Sequence, residues 1–94
     1  MVPPRALSEA AGNRQPDYPA SLQARGEQGR VLLRVDVTAD GRAGSVSVLK
    51  GTGFARLDQL AMAAVRAWRF VAASRGGRPI AAPAEVTINF QLPE

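Results

Sequence analysis

The chain has 94 residues, 46% hydrophobic and 21% charged, which is the composition and size of a single small domain with one core. It contains neither Cys nor His, so disulfides, thiolate or imidazole ligands and the usual activating base of a nucleophile are excluded, and these absences point away from an enzyme. The formal charge of +4 comes from an excess of Arg over a single Lys50 and brings anionic partners, nucleic acid among them, into consideration beside the plainer reading of arginine as the default surface cation.

Met1 to Arg14 holds Pro3 and Pro4 among small and charged residues without a helical or strand period, the pattern of a linker end or disordered arm. It has no apolar run of signal-peptide length, and no later stretch approaches the roughly 18 apolar residues of a membrane span. Gln15-Pro16-Asp17-Tyr18-Pro19 follows, with two prolines that hold the backbone extended. Pro19 can open a short helix over Ala20 to Arg25, anchored by Leu22 and ended by Gly26.

From Arg30 to Val37 the chain alternates, with Val31, Leu33, Val35 and Val37 on one face of a half-buried strand. Asp40-Gly41 supplies a tight turn, and Val46 and Val48 mark a second strand, so an antiparallel hairpin is predicted. Between Leu57 and Trp68 the apolar residues Leu57, Leu60, Ala61, Ala64, Val65 and Trp68 fall on one helical stripe, opposite Arg56, Gln59, Arg66 and Arg69. The helix is expected to end near Phe70, because Ser74-Arg75-Gly76-Gly77-Arg78-Pro79 has the composition of a loop. The run Ala84 to Leu92 then alternates Val86, Ile88, Phe90 and Leu92 against Glu85, Thr87, Asn89 and Gln91, which predicts the last strand.

The order of elements implies an α+β fold, with a three-stranded antiparallel-rich sheet in the order 2-1-3 and one long and one short helix packed on one face. A right-handed crossover through the long helix places the third strand parallel to the second, with the first between them. The third strand is then an edge with a free row of backbone donors and acceptors.

Other constellations have plain structural readings. Asp36 and Asp40 belong to a polar strand face and a turn, and Glu27 and Glu85 show no metal-binding pattern. Ser45 and Ser47 share a strand face without a base, and Gly51-Thr52-Gly53 lacks the remainder of a phosphate loop. Arg66, Arg69, Arg75 and Arg78 could form a basic patch, yet a helix C-terminus already favours cations there, and the few aromatics are suited to the core.

Tyr18-Pro19, Gly29-Arg30-Val31, Asp40-Gly41-Arg42, Leu57-Asp58, Trp68-Arg69-Phe70 and a closing strand with Phe90, in that order and spacing, resemble the C-terminal domain of TonB proteins from about Gln15 to Leu92. Ala72 departs from a family pattern in which proline often follows the Trp-Arg-aromatic triplet. The resemblance implies a domain at 15–94 preceded by the arm at 1–14, periplasmic, in a longer protein anchored in the inner membrane by a segment absent here. It implies that the domain binds the TonB box of outer-membrane TonB-dependent receptors by strand addition, is coupled to the proton gradient through ExbB and ExbD, and drives uptake of an iron chelate, haem or cobalamin. By position the partner-binding residues are Asn13, Arg14, Gln15, Pro16 and Tyr18, with Glu85, Val86, Thr87, Ile88, Asn89, Phe90 and Gln91 on the closing strand. No catalytic residue, cofactor, metal or nucleic acid is expected, and an exposed edge can pair with a second copy of the chain to give a homodimer. The alternative is a TolA-like or TonB-like structural or signalling interaction domain of the periplasm without energised transport.

Overall fold

Val31, Leu33, Val35 and Val37 point to one side of a strand and are sealed from solvent, because every neighbouring element lays its apolar face against them. In the computed structural model, which describes residues 1–92, this strand is β2 (Gly29–Val37), the centre of a three-stranded sheet. In chain order the elements are β1 (Arg5–Ala6), a 3-10 turn (Glu9–Ala11), α1 (Ala20–Ala24), β2, β3 (Ala43–Lys50), α2 (Ala55–Arg66), β4 (Phe70–Val71), β5 (Ala73–Arg75), β6 (Arg78–Ile80) and β7 (Ala82–Phe90). The main sheet has the order β3-β2-β7 with both pairings antiparallel, so β3 and β7 run the same way on either side of β2. This is the predicted 2-1-3 order.

Leu57, Ala61 and Val65 of α2 and Leu22 of α1 pack with Val86, Ile88, Phe90 and the valines of β2 into one core. The start of α2 is fixed by Asp58, whose carboxylate accepts from the Thr52 amide at 3.0 Å and the Thr52 hydroxyl at 2.9 Å. Thr52 Oγ1 in turn accepts from the Phe54 amide at 3.0 Å, so the chain entering the helix is held from both directions.

Three boundaries differ from the sequence expectation. The long helix stops at Arg66 rather than near Phe70, because non-local acceptors take the amides that would continue it. The Arg69 amide donates to Asn13 Oδ1 at 2.7 Å and the Phe70 amide to the Gly41 carbonyl at 2.8 Å. Trp68 therefore lies beyond the helix, yet it is only 7% exposed and still completes the core. Gly41, which accepts from the Phe70 amide, has φ +81, and a Cβ there would collide with the Phe70 carbonyl oxygen.

The stretch read as a loop is instead the hairpin β5–β6, with Arg75 opposite Arg78 across Gly76 and Gly77. Both glycines have positive φ, as a two-residue type I′ turn requires, so the same residues that suggest a loop by composition close a hairpin. The last strand ends at Phe90, which leaves Gln91, expected on the strand as a partner-binding residue, and Leu92 outside it.

The arm at 1–14 also carries structure that its composition does not announce. Arg5 and Ala6 pair with Val71 and Phe70, and Val2 bridges Ser74 in the same antiparallel register. Backbone bonds from Leu7 to Arg69 at 3.0 Å and between Val2 and Ser74 at 2.8 and 3.0 Å complete the contact. Main-chain pairing needs no hydrophobic period, which is why no period marks it.

Candidate functional site

The main sheet has two edges, and they are not equivalent. Against β2, β3 is interrupted twice: Gly44 lies between the partners of Asp36 and Val37, and Leu49 between those of Leu32 and Leu33. Bulges of this kind twist an edge and break its hydrogen-bond spacing, so they protect it from further pairing. In contrast β7 keeps an unbroken register with β2 over nine residues, from Ala82 opposite Val37 to Phe90 opposite Gly29.

The direction of the free groups on β7 follows from β2. Thr38 donates its amide to the Arg42 carbonyl at 2.9 Å, and the Asp36 carbonyl points at Gly44, so the even-numbered positions of β2 bond toward β3. Its odd-numbered positions bond toward β7, where they are opposite Ala82, Ala84, Val86, Ile88 and Phe90. Glu85, Thr87 and Asn89 therefore aim their N–H and C=O groups outward. Pro83 lies on the same outward row, where its missing N–H costs the sheet nothing.

Side chains and backbone thus divide the strand. Val86, Ile88 and Phe90 are buried in the core, while Glu85, Thr87 and Asn89 are exposed on the outer face. At the C-terminal end of β7 a shallow cleft of about 590 Å³ opens on that face, bordered by Thr87, Asn89, Gln91, Arg30, Leu32 and Lys50. Arg30 Nε donates to Asn89 Oδ1 at 3.0 Å, and with Lys50 it makes the cleft cationic. Toward the other end, a cleft of about 630 Å³ lies between Pro3–Ala6 of the arm and Pro83–Val86.

Further along the outer face Asp36 accepts from the Ser45 hydroxyl at 2.5 Å and from Arg34 at 3.2 Å. These bonds hold its carboxyl below the usual value of 3.8. Asp40 is lowered likewise, first by its bond from the Thr38 hydroxyl. Both carboxyls are committed to turn and strand, and among the described residues no cluster of His, Cys, Asp or Glu could hold a metal ion.

Residues 14–92 match the family model described as the Gram-negative bacterial TonB protein C-terminal. The chain belongs to the TonB C-terminal family. It is 42% identical over 89 residues to Protein tonB2 of Pseudomonas aeruginosa, a match covering 95% of this chain and 33% of that protein. Protein TonB of Xanthomonas campestris pv. campestris is 42% identical over 77 residues, covering 82% of this chain and 34% of the relative. The chain thus spans about a third of the length of the curated relatives it matches. Among solved structures, that of the Pseudomonas aeruginosa TonB CTD superposes with a TM-score of 0.74 at 30% identity, covering 97% of this chain and 88% of the other. The Helicobacter pylori TonB-CTD gives 0.64 at 25% identity, covering 85% and 84%.

The tyrosine of the Tyr-Pro pair carried by this TonB C-terminal domain has a clear structural task. The Tyr18 ring meets Phe90 edge to face at 5.4 Å, its hydroxyl donates to the Glu27 carbonyl, and its own carbonyl accepts from Gln23 at 2.8 Å. Tyr18 thereby joins α1, the chain before it and the C-terminal end of β7. Asn13 is placed differently from Tyr18. It is 2% exposed, its Nδ2 donates to the Leu7 and Arg69 carbonyls at 2.8 Å each, and its Oδ1 accepts from Arg69.

Between them Arg14 and Gln15 are exposed and Pro16 is half-buried, all beside the C-terminal half of α2 near Trp68. The Arg14 carbonyl accepts from Trp68 Nε1 at 2.7 Å. Sequence reasoning missed Arg30, Leu32 and Lys50 as neighbours of the edge. Their alternation places Arg30 and Leu32 on the outer face, but only the register with β7 brings them to Asn89 and Thr87.

Proposed function

We propose that the domain binds a short extended segment of outer-membrane receptors, the TonB box, as a strand added to the free edge of β7. The observation that carries this reading is the unbroken nine-residue register of β7 beside the twice-bulged β3. Glu85, Thr87 and Asn89 offer three N–H and three C=O groups, and a peptide that takes them gains roughly 3 to 9 kcal/mol before the cost of ordering it. After an ordering cost of roughly 2 to 5 kcal/mol, the upper end of that range leaves about 4 to 7 kcal/mol, an affinity between about a millimolar and ten micromolar, which suits a grip that must be released. Main-chain bonds carry little sequence information, so one edge serves several receptors. The basic cleft beside Asn89 favours a peptide with an acidic residue at that end.

In the whole protein this domain acts in the periplasm, and a preceding segment anchors it in the inner membrane. There ExbB and ExbD couple it to the proton gradient, and the grip on the peptide transmits force for active uptake of a bulky substrate of the siderophore, haem or cobalamin class. The domain itself catalyses no reaction. A second copy pairing along β7 is the self-association that such an edge permits.

The test is an NMR titration of the labelled domain with a panel of TonB-box peptides. Amide shifts concentrated at Glu85, Thr87 and Asn89 are expected, with smaller ones at Tyr18 and along the arm. Absence of shifts with every peptide at millimolar concentration would overturn this reading and favour an interaction domain without energised transport.

A further inference from the structure

Three prolines that are distant in sequence meet at one place. Pro3 and Pro4 of the arm and Pro83 of β7 line the cleft of about 630 Å³ at the N-terminal end of the free edge, together with Ala6, Ala84 and Val86. The arm wall is fixed rather than trailing. Val2 and Ser74 exchange backbone hydrogen bonds, Arg5 pairs with Val71, and the Leu7 amide donates to the Arg69 carbonyl. Arg5 on that wall and Glu85 on the opposite one border the same cleft, yet the ion pairs among the described residues do not join them, so the walls stand apart.

A strand added along β7 leads into this space. Glu85, Thr87 and Asn89 supply outward N–H groups, and the row of donors ends at Pro83, which has none. The arm does not replace them at this point, because Pro3 and Pro4 lack an N–H as well. Beyond Glu85 the site therefore presents carbon surface where N–H groups would otherwise stand, and what a ligand gains there is apolar burial.

We propose that this cleft is a side-chain pocket of the peptide site, filled by one aliphatic residue of the bound segment just beyond the residue that pairs with Glu85, with the arm as its second wall. Strand addition takes affinity from main-chain bonds and selectivity from pockets of this kind. An aliphatic group placed here meets carbon on both walls, whereas a polar one loses water to prolines and alanines that offer no bond in return. The proposal rests on the strand-addition reading and adds to it a choice among peptides that the edge alone does not make.

The test starts from the tightest-binding TonB-box peptide of the panel, with each residue in turn replaced by alanine and by leucine and the affinity read by NMR titration. At one position leucine should bind about tenfold more tightly than alanine, as half burial of the larger side chain implies. From that position the leucine methyls should give nuclear Overhauser contacts to the ring protons of Pro3 and Pro4. The variant P3G/P4G removes two ring faces and no backbone hydrogen bond, and in it the preference should fall to about threefold or less. The amide shifts of Leu7 and Ser74 establish that its arm stays paired; the contacts in the native domain decide the matter if it does not. Shifts at Glu85, Thr87 and Asn89 with no position favouring leucine, or with no contact from that leucine to the arm, would overturn the pocket and leave strand addition standing. No shifts with any peptide would overturn both.

Discussion

Asn13 and Arg69, 56 positions apart, exchange two hydrogen bonds: the Asn13 Nδ2 donates to the Arg69 carbonyl at 2.8 Å, and the Arg69 amide donates to Asn13 Oδ1 at 2.7 Å. With a further bond to Leu7, one buried carboxamide ties the arm to the chain leaving α2. Asn13→Ala leaves the Arg69 amide and the Leu7 carbonyl without these partners, while the Arg69 carbonyl keeps the bond from the Leu7 amide, and should cost about 1 to 3 kcal/mol in urea denaturation. Hydrogen exchange should show the amides of Leu7 and Arg69 losing protection before those of β2. Unchanged protection at both would contradict this role.

Trp68 combines burial with a bond from its indole to the Arg14 carbonyl. Trp68→Ala should lose about 3 to 5 kcal/mol through the cavity it leaves. Trp68→Phe should lose less, since it keeps most of the apolar volume and gives up the indole bond. A phenylalanine variant as unstable as the alanine one would mean that the bond outweighs the packing.

The alternation on β7 makes neighbouring positions respond oppositely to proline. Thr87→Pro removes an outward N–H while leaving the bonds to β2 in place, so the fold should persist with a modest loss of stability and peptide binding should fall at least tenfold. Ile88→Pro removes a bond to β2 and a core side chain together and should unfold the domain. Thermal melts and the peptide titration, run on both variants, distinguish this register from one shifted by a residue.

At Gly41 any side chain meets the Phe70 carbonyl oxygen and must adopt a φ of +81. Gly41→Ala should cost roughly 1 to 3 kcal/mol. The loss should show first as weakened protection of the Phe70 amide, which the Gly41 carbonyl accepts at 2.8 Å in the native chain.

Asp36 and Asp40 have carboxyls lowered by hydroxyl donors and, more weakly, by neighbouring arginines. A group whose folded value is depressed stabilises the fold above its unfolded value, and that contribution disappears as pH falls through the folded value. Stability should therefore be flat from neutral pH to about 5 with respect to these groups and should decline below about 4. Asp36→Asn and Asp40→Asn together should flatten part of that decline. Urea midpoints measured between pH 7 and 2.5 give the comparison.

The central sheet is legible in the sequence because Val31 to Val37 and Val86 to Phe90 alternate in step with burial, and Asp40-Gly41 announces the turn between its first strands. The same holds for α2, whose stripe is buried at Leu57, Ala61 and Val65. The helix end is not legible, because it is set by Asn13 and Gly41, which arrive from distant parts of the chain. The β5–β6 hairpin is hidden by its own turn glycines and by Arg and Pro, which have little strand preference. The edge was found through the sheet order, whereas the division of β7 into inward and outward groups needed the register with β2. The structural burden on Asn13 could not be seen, since an asparagine amid an apparently irregular arm reads as solvent-exposed.

The asymmetry between the bulged β3 and the regular β7 also bears on stoichiometry. A second copy that pairs along β7 takes the same N–H and C=O groups at Glu85, Thr87 and Asn89 that a peptide would take. If both use β7 as proposed, self-association and peptide capture exclude one another, and the protein would act as its own competitive inhibitor. Its apparent affinity should decline as its concentration rises, so crowding more copies into the same space would yield fewer free hands rather than more.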